Sequence, residues 1–196
     1  MTSHYSFDIK FEKFNKNIHI DFPKGLNIIY GESGSGKSKI IYSILNKANL
    51  GSANFSILNK IIPENIQLVF QNPENQIICQ NLQSELSFGL ESSSNNSVDL
   101  KDELQKIKSL LPFVDDWLRH PNTLSGGEME ILNIITAFTS KSEAVLIDDG
   151  LSYLNPNTKK QWVEWIKKNY SKTKTILWFT SDYNDLSFGK TKWILS

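Results

Sequence analysis

Apolar and polar residues alternate along the first part of the chain, which is typical of β-strands with one buried face. The apolar positions are Tyr5, Phe7, Ile9, Phe11, Ile18, Ile20 and Phe22. Between the two runs, Asn15-Lys16-Asn17 has the composition of a turn. The pattern therefore predicts an antiparallel β-hairpin over residues 5–22.

Further along the chain, short apolar runs alternate with segments of helical spacing. The runs that predict strands are residues 26–30, 55–62, 67–70, 144–147 and 175–179. The segments that predict helices are residues 38–46, 100–118 with a break at Pro112, 125–139 and 158–170. The run at 144–147 is continuously apolar, as expected of a parallel strand buried on both faces. The alternation predicts an α/β fold with a largely parallel sheet.

Residues 91–99, ESSSNNSVD, are rich in serine and asparagine, so we expect an exposed loop there. The 196 residues contain no internal repeat and no long linker. We therefore expect a single domain over residues 1–196.

The composition restricts the partners and the compartment. Lys and Arg total 21 and Asp and Glu total 21, so the formal net charge is zero and we expect no nucleic-acid partner. The single cysteine, Cys79, excludes an intrachain disulfide and suits a reducing compartment. The N-terminus has no signal-peptide pattern, and no run approaches the ~18 apolar residues of a membrane helix. These features together predict a cytoplasmic location.

Residues 31–38 read GESGSGKS and fit the pattern G-x-x-x-x-G-K-[ST] of a phosphate-binding loop. The predicted phosphate-binding residues are Gly31, Glu32, Ser33, Gly34, Ser35, Gly36, Lys37 and Ser38. Glycines allow the tight backbone path of such a loop, and the following helix adds its positive N-terminal dipole. Lys37 is expected to reach the β- and γ-phosphates, and the Ser38 hydroxyl to ligate Mg²⁺. The loop predicts ATP and Mg²⁺ as ligands.

Two further motifs complete a nucleotide site. Asp148 ends the apolar run AVLID, at the carboxyl end of a predicted parallel strand where ligands bind, and is expected to hold Mg²⁺ through its water shell. LSGGE, residues 124–128, places Ser125, Gly126, Gly127 and Glu128 at a predicted helix start, which suits a phosphate. An ordinary helix N-cap alone would also explain the serine.

LSGGE, about 20 residues before the acidic strand end, resembles the signature motif of ABC-transporter ATPases, with Glu in place of the more usual Gln. The resemblance implies the P-loop ABC ATPase fold, with an N-terminal antiparallel β portion and a helical portion over about residues 76–125. It also implies that the signature contacts ATP held by a second ABC ATPase subunit, so that two ATPs are enclosed in a homo- or heterodimer. Gln71 matches the family's Q-loop, which implies contact with Mg²⁺ and a catalytic role together with Lys37.

VFQNPENQI at residues 69–77, followed by ELSFGLE at 85–91, is similar to the ATPases of energy-coupling factor transporters. These systems import vitamins or transition metals. The resemblance implies coupling of ATP hydrolysis to import, with the chain peripheral on the inner face of the cell membrane. It also implies an integral membrane partner, whose coupling helix we expect to bind along residues 71–88. Packing and a turn would equally explain Phe88-Gly89.

The chain departs from the family pattern at several catalytic positions. Asp149 stands where the family has the glutamate that polarises the attacking water, and is one methylene shorter. Asn155 replaces the aspartate of the D-loop, Ser181 replaces the switch histidine and Ile131 replaces an arginine. Phe14 is the best candidate for the aromatic residue that stacks on the base. The sequence ends soon after its last predicted strand, so we expect no C-terminal dimerisation extension.

These departures suggest that the chain is the hydrolytically impaired half of a heterodimer, because the ATP-binding residues are intact and the residues that catalyse hydrolysis are altered. Asp149 could instead still act, which would give a slow homodimeric ATPase. Two other functions stay open at this point. One is a non-transport ABC ATPase of the DNA-maintenance type, and the other is an ATP-sensing structural subunit without hydrolysis.

Overall fold

A computed structural model describes residues 5–11, 16–46, 55–91 and 97–195. The described strands are β1 Tyr5–Phe11, β2 Lys16–Phe22, β3 Gly25–Gly31, β4 Phe55–Ile61, β5 Ile66–Val69, β6 Ala144–Asp148, β7 Thr175–Thr180 and β8 Thr191–Leu195. The described α-helices are α1 Lys37–Ile44, α2 Leu82–Glu91, α3 Ser97–Lys108, α4 Gly126–Thr139 and α5 Pro156–Tyr170. Within these residues, no helix is long and apolar enough to cross a membrane.

Five parallel strands form the central sheet, in the order β5-β6-β7-β3-β8. β6 and β7 are buried along their whole length, which confirms the prediction from the continuous apolar run at 144–147. The carboxyl ends of β6, β7 and β3 lie side by side, since Asp148 is in register with Phe179, and Tyr30 with Thr180. The parallel α/β core is therefore confirmed.

A second sheet of three antiparallel strands, in the order β2-β1-β4, carries the N-terminal part of the chain. The predicted hairpin is confirmed by the antiparallel pairing of β1 with β2. Its alternating apolar side chains face the core, and Phe7, Ile9 and Ile20 are fully buried. The predicted turn is corrected in part, because Lys16 and Asn17 already belong to β2.

Helix boundaries follow from local capping. α4 begins after Ser125 with a capping box: the Glu128 backbone N–H donates to the Ser125 hydroxyl oxygen, and the Ser125 backbone N–H donates to the Glu128 carboxylate. α5 begins at Pro156, two residues before the predicted start, because Asn155 caps it and proline suits the first helical turn. α3 ends at Lys108, so the helix predicted as far as residue 118 is too long.

The loop prediction for residues 91–99 is wrong at both ends. Glu91 is the last residue of α2, and Ser97 begins α3. Residues 92–96 lie outside the described part of the chain. The sequence pattern also missed α2 itself, which contains Gly89, a residue that lowers helix propensity.

Three apolar clusters stabilise these layers. The first lies between the antiparallel sheet, α1 and one face of the parallel sheet, and includes Phe7, Ile40 and Phe179. The second joins the other face of the parallel sheet to α4 and α5. The third joins α2, α3 and α4 into a helical layer. The carboxyl edge of the parallel sheet lies between these layers, and the motif residues follow it.

Candidate nucleotide site

The motif residues follow neighbouring strands at the carboxyl edge of the parallel sheet. GESGSGKS starts at the last residue of β3, Asp148 ends β6 and is followed by Asp149, Ser181 follows β7, and Gln71 lies just beyond β5. The carboxyl edge of a parallel sheet is the place where α/β proteins bind ligands. The chain topology therefore brings together four segments that are far apart in sequence.

The phosphate-binding loop has the backbone of an anion cradle. Gly34 and Gly36 have φ values of 82° and 93°, which strongly favour glycine. At Gly31, a Cβ would lie 2.4 Å from the Ser35 hydroxyl oxygen, so a side chain there would fill the loop. Among the described residues, that buried hydroxyl has no hydrogen-bond partner. An anion seated in the loop would supply one.

Lys37 and the start of α1 provide the positive charge of this cradle. No side chain in the described part of the chain caps the N-terminus of α1, so its first N–H groups stay available to an anion. The Lys37 side chain is buried, and its Nζ donates to the backbone oxygens of Gly31 at 2.7 Å and Glu32 at 3.1 Å. The ammonium group thus spans the loop opening. Glu32 and Ser33 are exposed at its rim.

Ser38 and Asp148 form the candidate Mg²⁺ site. The Ser38 hydroxyl donates to Asp148 Oδ1 at 3.1 Å, across 110 residues of sequence. Burial raises the pKa of Asp148 above its ordinary value and the negative charge of Asp149 adds to this rise, whereas the Ser38 hydrogen bond and the Lys37 charge oppose it. A hydroxyl oxygen and a carboxylate side by side suit a hard divalent cation, which would favour the ionised carboxylate. The donor set therefore fits Mg²⁺.

Asp149 is directed at Ser181. Its Oδ1 accepts a hydrogen bond from the Ser181 backbone N–H at 2.9 Å, and its Oδ2 accepts one from the Ser181 hydroxyl at 2.7 Å. The Asp149 N–H donates to Phe179 O at 2.8 Å, and its φ of 51° lies in the left-handed region. Two of the positions that depart from the family pattern, Asp149 and Ser181, therefore contact each other directly.

Gln71 is exposed just beyond β5, in a loop that is anchored to α4. Gln76 accepts from the Phe70 N–H and donates to the Asn133 backbone oxygen, at 3.2 and 3.1 Å. The Asn133 side chain in turn donates to Pro73 O at 2.7 Å. The motif FQNPENQ does not by itself reveal these anchoring hydrogen bonds. Asn133, a lone amide in an apolar helix, was the available signal.

The signature residues lie at the start of α4, and Ser125 is exposed. The Ser125 hydroxyl donates to Glu128 Oε2 at 2.8 Å, so its hydrogen is engaged within the motif. A Cβ on Gly126 would lie 2.9 Å from the Tyr153 ring, and a Cβ on Gly127 would lie 3.2 Å from the Leu154 side chain. The signature therefore packs against residues 152–155, the segment that matches the family's D-loop.

Two further expected residues have different outcomes. Ile131 is buried, so the position where the family has arginine contributes to the third apolar cluster. Phe14, the candidate base-stacking aromatic, lies outside the described residues. Glu130, which was not predicted as a site residue, is a buried carboxylate on α4 that contacts the D-loop segment. Its signal was a second acidic residue two positions after Glu128, inside an apolar stretch.

A glycine loop between β3 and α1, an acidic residue at the end of β6 and a parallel sheet define a P-loop nucleotide-binding protein. The sequence profile of the family described as ABC transporter matches residues 15–152. Since this is well over half of the chain, the protein belongs to the ABC transporter family and is an ATP-binding ATPase of that class.

Within this family, the chain is similar to curated ATP-binding proteins of energy-coupling factor transporters. The chain is 30% identical over 204 residues to energy-coupling factor transporter ATP-binding protein EcfA1 of Fusobacterium nucleatum, covering 97% of this chain and 76% of the relative. It is 27% identical over 182 residues to the EcfA protein of Methanosarcina acetivorans, covering 87% of this chain and 66% of that relative.

Solved structures agree on the fold. CbiO1 of Clostridium perfringens, described as part of the ABC transporter complex cbiONQ, superposes with a TM-score of 0.74 at 17% identity. The match covers 100% of this chain and 85% of that one. The ATP-binding cassette MJ0796, solved as a dimer with ADP and Pi, gives a TM-score of 0.71 at 23% identity, covering 92% and 85%. The ABC ATPase fold is confirmed.

Proposed function

We propose that this chain is the ATP-binding subunit of an energy-coupling factor type transporter, which couples ATP binding and hydrolysis to import of a vitamin or a metal ion. The observation that carries the proposal is that one chain holds both a P-loop whose helix lacks a side-chain cap and an LSGGE turn in which Ser125 is exposed, and that its relatives are named for such transporters. Each of these half-sites would be completed by a second subunit.

In this proposal, the P-loop of the chain binds the triphosphate of ATP. Lys37 moves its Nζ from the backbone oxygens of Gly31 and Glu32 to phosphate oxygens, and Ser35 gains a partner for its buried hydroxyl. Ser38 and Asp148 hold Mg²⁺, with Gln71 approaching from the end of β5. When bound, the cation neutralises charge on the phosphates. The protein groups fix the position of the γ-phosphate for in-line attack by water.

Hydrolysis at this site is slow in our proposal, because Asp149 is poorly placed to orient that water. Its side chain is one methylene shorter than glutamate, and hydrogen bonds to Ser181 hold both of its oxygens. A short displacement of a catalytic group lowers its effect strongly. The two altered residues thus stabilise each other in an arrangement that binds ATP and turns it over slowly.

The second subunit supplies the other half of the catalysis. The signature, with Ser125, Gly126, Gly127 and Glu128, faces ATP held by the P-loop of a partner ABC ATPase. The N–H groups of Gly126 and Gly127, at the start of α4, suit a γ-phosphate. Since the signature is intact, the partner's P-loop site carries most of the hydrolysis. The Ser125 hydroxyl would exchange its Glu128 acceptor for a phosphate oxygen on closure.

A surface groove is the candidate contact for the membrane partner. It has a volume of about 790 Å³ and lies between the end of α1, β5, the Gln71 loop and α2. Ile78 and Phe88 line it and are 62% and 59% exposed. An apolar rim of this kind suits a short amphipathic helix from an integral membrane protein. The protein would therefore be peripheral on the inner face of the membrane.

The test is affinity purification of the tagged chain from detergent-solubilised membranes of its own cells. We expect an integral membrane protein and a second ABC ATPase with an intact catalytic glutamate to co-purify in fixed proportion. The reconstituted complex should then hydrolyse ATP. Recovery of the chain alone, or with salt-sensitive binding to DNA, would contradict the transport proposal. ATP binding without turnover in the complete complex would favour an ATP-sensing subunit.

A further inference from the structure

We propose that Glu130 is a positioning residue that holds the D-loop segment, residues 152–155, against the signature motif. It thereby shapes the surface that this chain presents to the ATP of a partner subunit. The expected effect of Glu130 on the partner's ATP rests on the proposed function. Its structural basis lies within this chain alone.

The carboxylate of Glu130 binds the D-loop backbone directly. Its Oε1 accepts from the Ser152 N–H and its Oε2 from the Tyr153 N–H, both at 3.1 Å, and the Leu151 N–H also contributes a hydrogen bond. The Glu130 side chain is 1% exposed. Hydrogen bonds from backbone N–H groups to a buried carboxylate are among the stronger ones in proteins. One side chain of α4 therefore satisfies successive donors of the segment.

The residues that lead into the segment have an unfavourable backbone, so the segment needs such support. Asp149 and Leu151 have positive φ values of 51° and 70°, and neither is a glycine. Positive φ at a leucine is a strained conformation that persists only when the surroundings hold it. Leu151 is fully buried, and the Glu130 carboxylate fixes the residues that follow it.

Glu130 also connects the segment to the signature turn. Gly126 and Gly127, one helical turn before Glu130, lie against Tyr153 and Leu154, leaving no room for a side chain at Gly126. Tyr153 remains 55% exposed beside the turn. The signature and the D-loop thus form one unit, joined by packing at the glycines and by hydrogen bonds at Glu130.

A positive charge on α5 compensates the buried carboxylate in part. Burial raises the pKa of Glu130 to about 7, while the D-loop N–H groups and the charge of Lys159 lower it. Lys159 Nζ is itself paired with Asp185 at 2.7 Å and Asp182 at 3.4 Å. A costly buried carboxylate in an apolar helix is explained by the backbone that it orders.

The experiment measures amide hydrogen exchange along the full chain for wild type, Glu130→Ala and Glu130→Gln. We expect Glu130→Ala to accelerate exchange at residues 151–154 by about tenfold or more, because the acceptor is lost. Glu130→Gln keeps one oxygen and should restore part of the protection. ATP affinity at the chain's own P-loop should stay within about twofold of wild type, since neither Lys37 nor Ser38 contacts this segment.

Lys174→Gln is the matched control. Lys174 is buried at the opposite edge of the sheet, where Nζ holds the backbone oxygens of Ser140 and Ser142. Its substitution should accelerate exchange near residues 140–142 or throughout the sheet and leave the D-loop no more affected than its surroundings. Unchanged exchange at residues 151–154 in Glu130→Ala, or uniform acceleration like that of a globally destabilised chain, would overturn the proposal.

A second readout separates this inference from the proposed function. In the complex with a second ABC ATPase, Glu130→Ala should lower ATP turnover about tenfold or more while both P-loops bind ATP as before. A wild-type complex without turnover would refute the proposed function, and the exchange result would still decide the role of Glu130. Normal turnover in Glu130→Ala would overturn the role assigned to it in the dimer.

Discussion

Asp149 and Ser181 show how two substitutions can act together at the scale of single residues. Each replaces a residue that the family uses in catalysis, and the structure joins them by two hydrogen bonds at 2.9 and 2.7 Å. Asp148, one residue earlier, keeps its contact with Ser38. The binding half and the catalytic half of the site are therefore separable by mutation.

Asp149→Glu should raise ATP turnover by about tenfold or more, because a longer side chain can reach the attacking water and general bases contribute at least that much. Steady-state phosphate release by the purified chain measures this. ATP affinity should not change. Asp149→Asn is the control, since it removes the carboxylate and should give no increase. Equal effects of the two variants would show that Asp149 only restrains the loop.

Lys37→Ala should weaken ATP binding by about 100-fold or more, because the charged hydrogen bonds to phosphate are lost. Titration with a fluorescent ATP analogue measures the dissociation constant. Lys39→Ala is the matched control, since Lys39 lies exposed on the same helix. It should bind ATP nearly as wild type. Equal losses in both variants would place the nucleotide elsewhere.

Sequence reasoning at this scale depended on whether a residue belongs to a contiguous motif. GESGSGKS and LSGGE identified their segments, because such motifs encode a local backbone path. The contact of Asp149 with Ser181 spans 32 residues and arises only when β6 and β7 pair. Glu130 was missed for the same reason, since its partners lie in a loop more than 20 residues away.

At the scale of elements, α4 links the signature to the D-loop through the carboxyl group of Glu130, whose pKa depends on its burial. Burial raises the pKa of Glu130 from 4.5 to about 7. Because the folded-state pKa lies above the unfolded value, the folded chain retains the proton more strongly. The resulting stabilisation is complete below about pH 4.5 and is lost as the pH rises through about 7.

Glu130→Gln removes this titration. The free energy of unfolding of the variant, relative to wild type, should therefore improve by about 2 kcal/mol between pH 5 and pH 8. Urea denaturation at a series of pH values measures this difference. A difference independent of pH would show that the carboxylate is not buried in the folded chain.

Element predictions succeeded where local patterns were strong and failed where tertiary contacts decided. Four strands of the parallel sheet, β3, β5, β6 and β7, follow from apolar runs, and α4 follows from helical spacing after the N-cap Ser125, whereas β8 was not predicted. α2 was missed because Gly89 and two serines weaken its helical pattern. In the fold, α2 packs so closely on α4 that a Cβ at Gly89 would lie 3.1 Å from Thr136 O. Glycine is favoured there by the neighbouring helix, and the isolated sequence does not show this.

At the scale of the whole molecule, the groove at Ile78 and Phe88 gives a prediction about assembly. Phe88→Asp should abolish co-purification with the membrane partner, because it places a charge on the apolar rim. Leu118→Asp is the matched control, since Leu118 is 72% exposed in the connection between α3 and α4 and is not among the residues that line the groove. Quantitative mass spectrometry of the purified complex measures both. Equal loss in the two variants would indicate general destabilisation, and retention in Phe88→Asp would exclude the groove.

The molecule as a whole carries two half-sites that serve different nucleotides. Its P-loop, Ser38 and Asp148 suit ATP of its own, while its signature and the D-loop held by Glu130 suit ATP of a partner. In our account the first half-site binds well and hydrolyses slowly. The complex would then use one efficient catalytic site and one site that stays closed on ATP.

The most direct test of this account is ATP turnover by the purified chain alone, at saturating ATP and Mg²⁺, with bound ATP measured in the same sample. We predict nearly stoichiometric ATP binding with turnover below about 1 s⁻¹, the lower end of typical enzymes. Turnover of several ATP per second without any second subunit would contradict it, because the Asp149–Ser181 arrangement would then support ordinary catalysis.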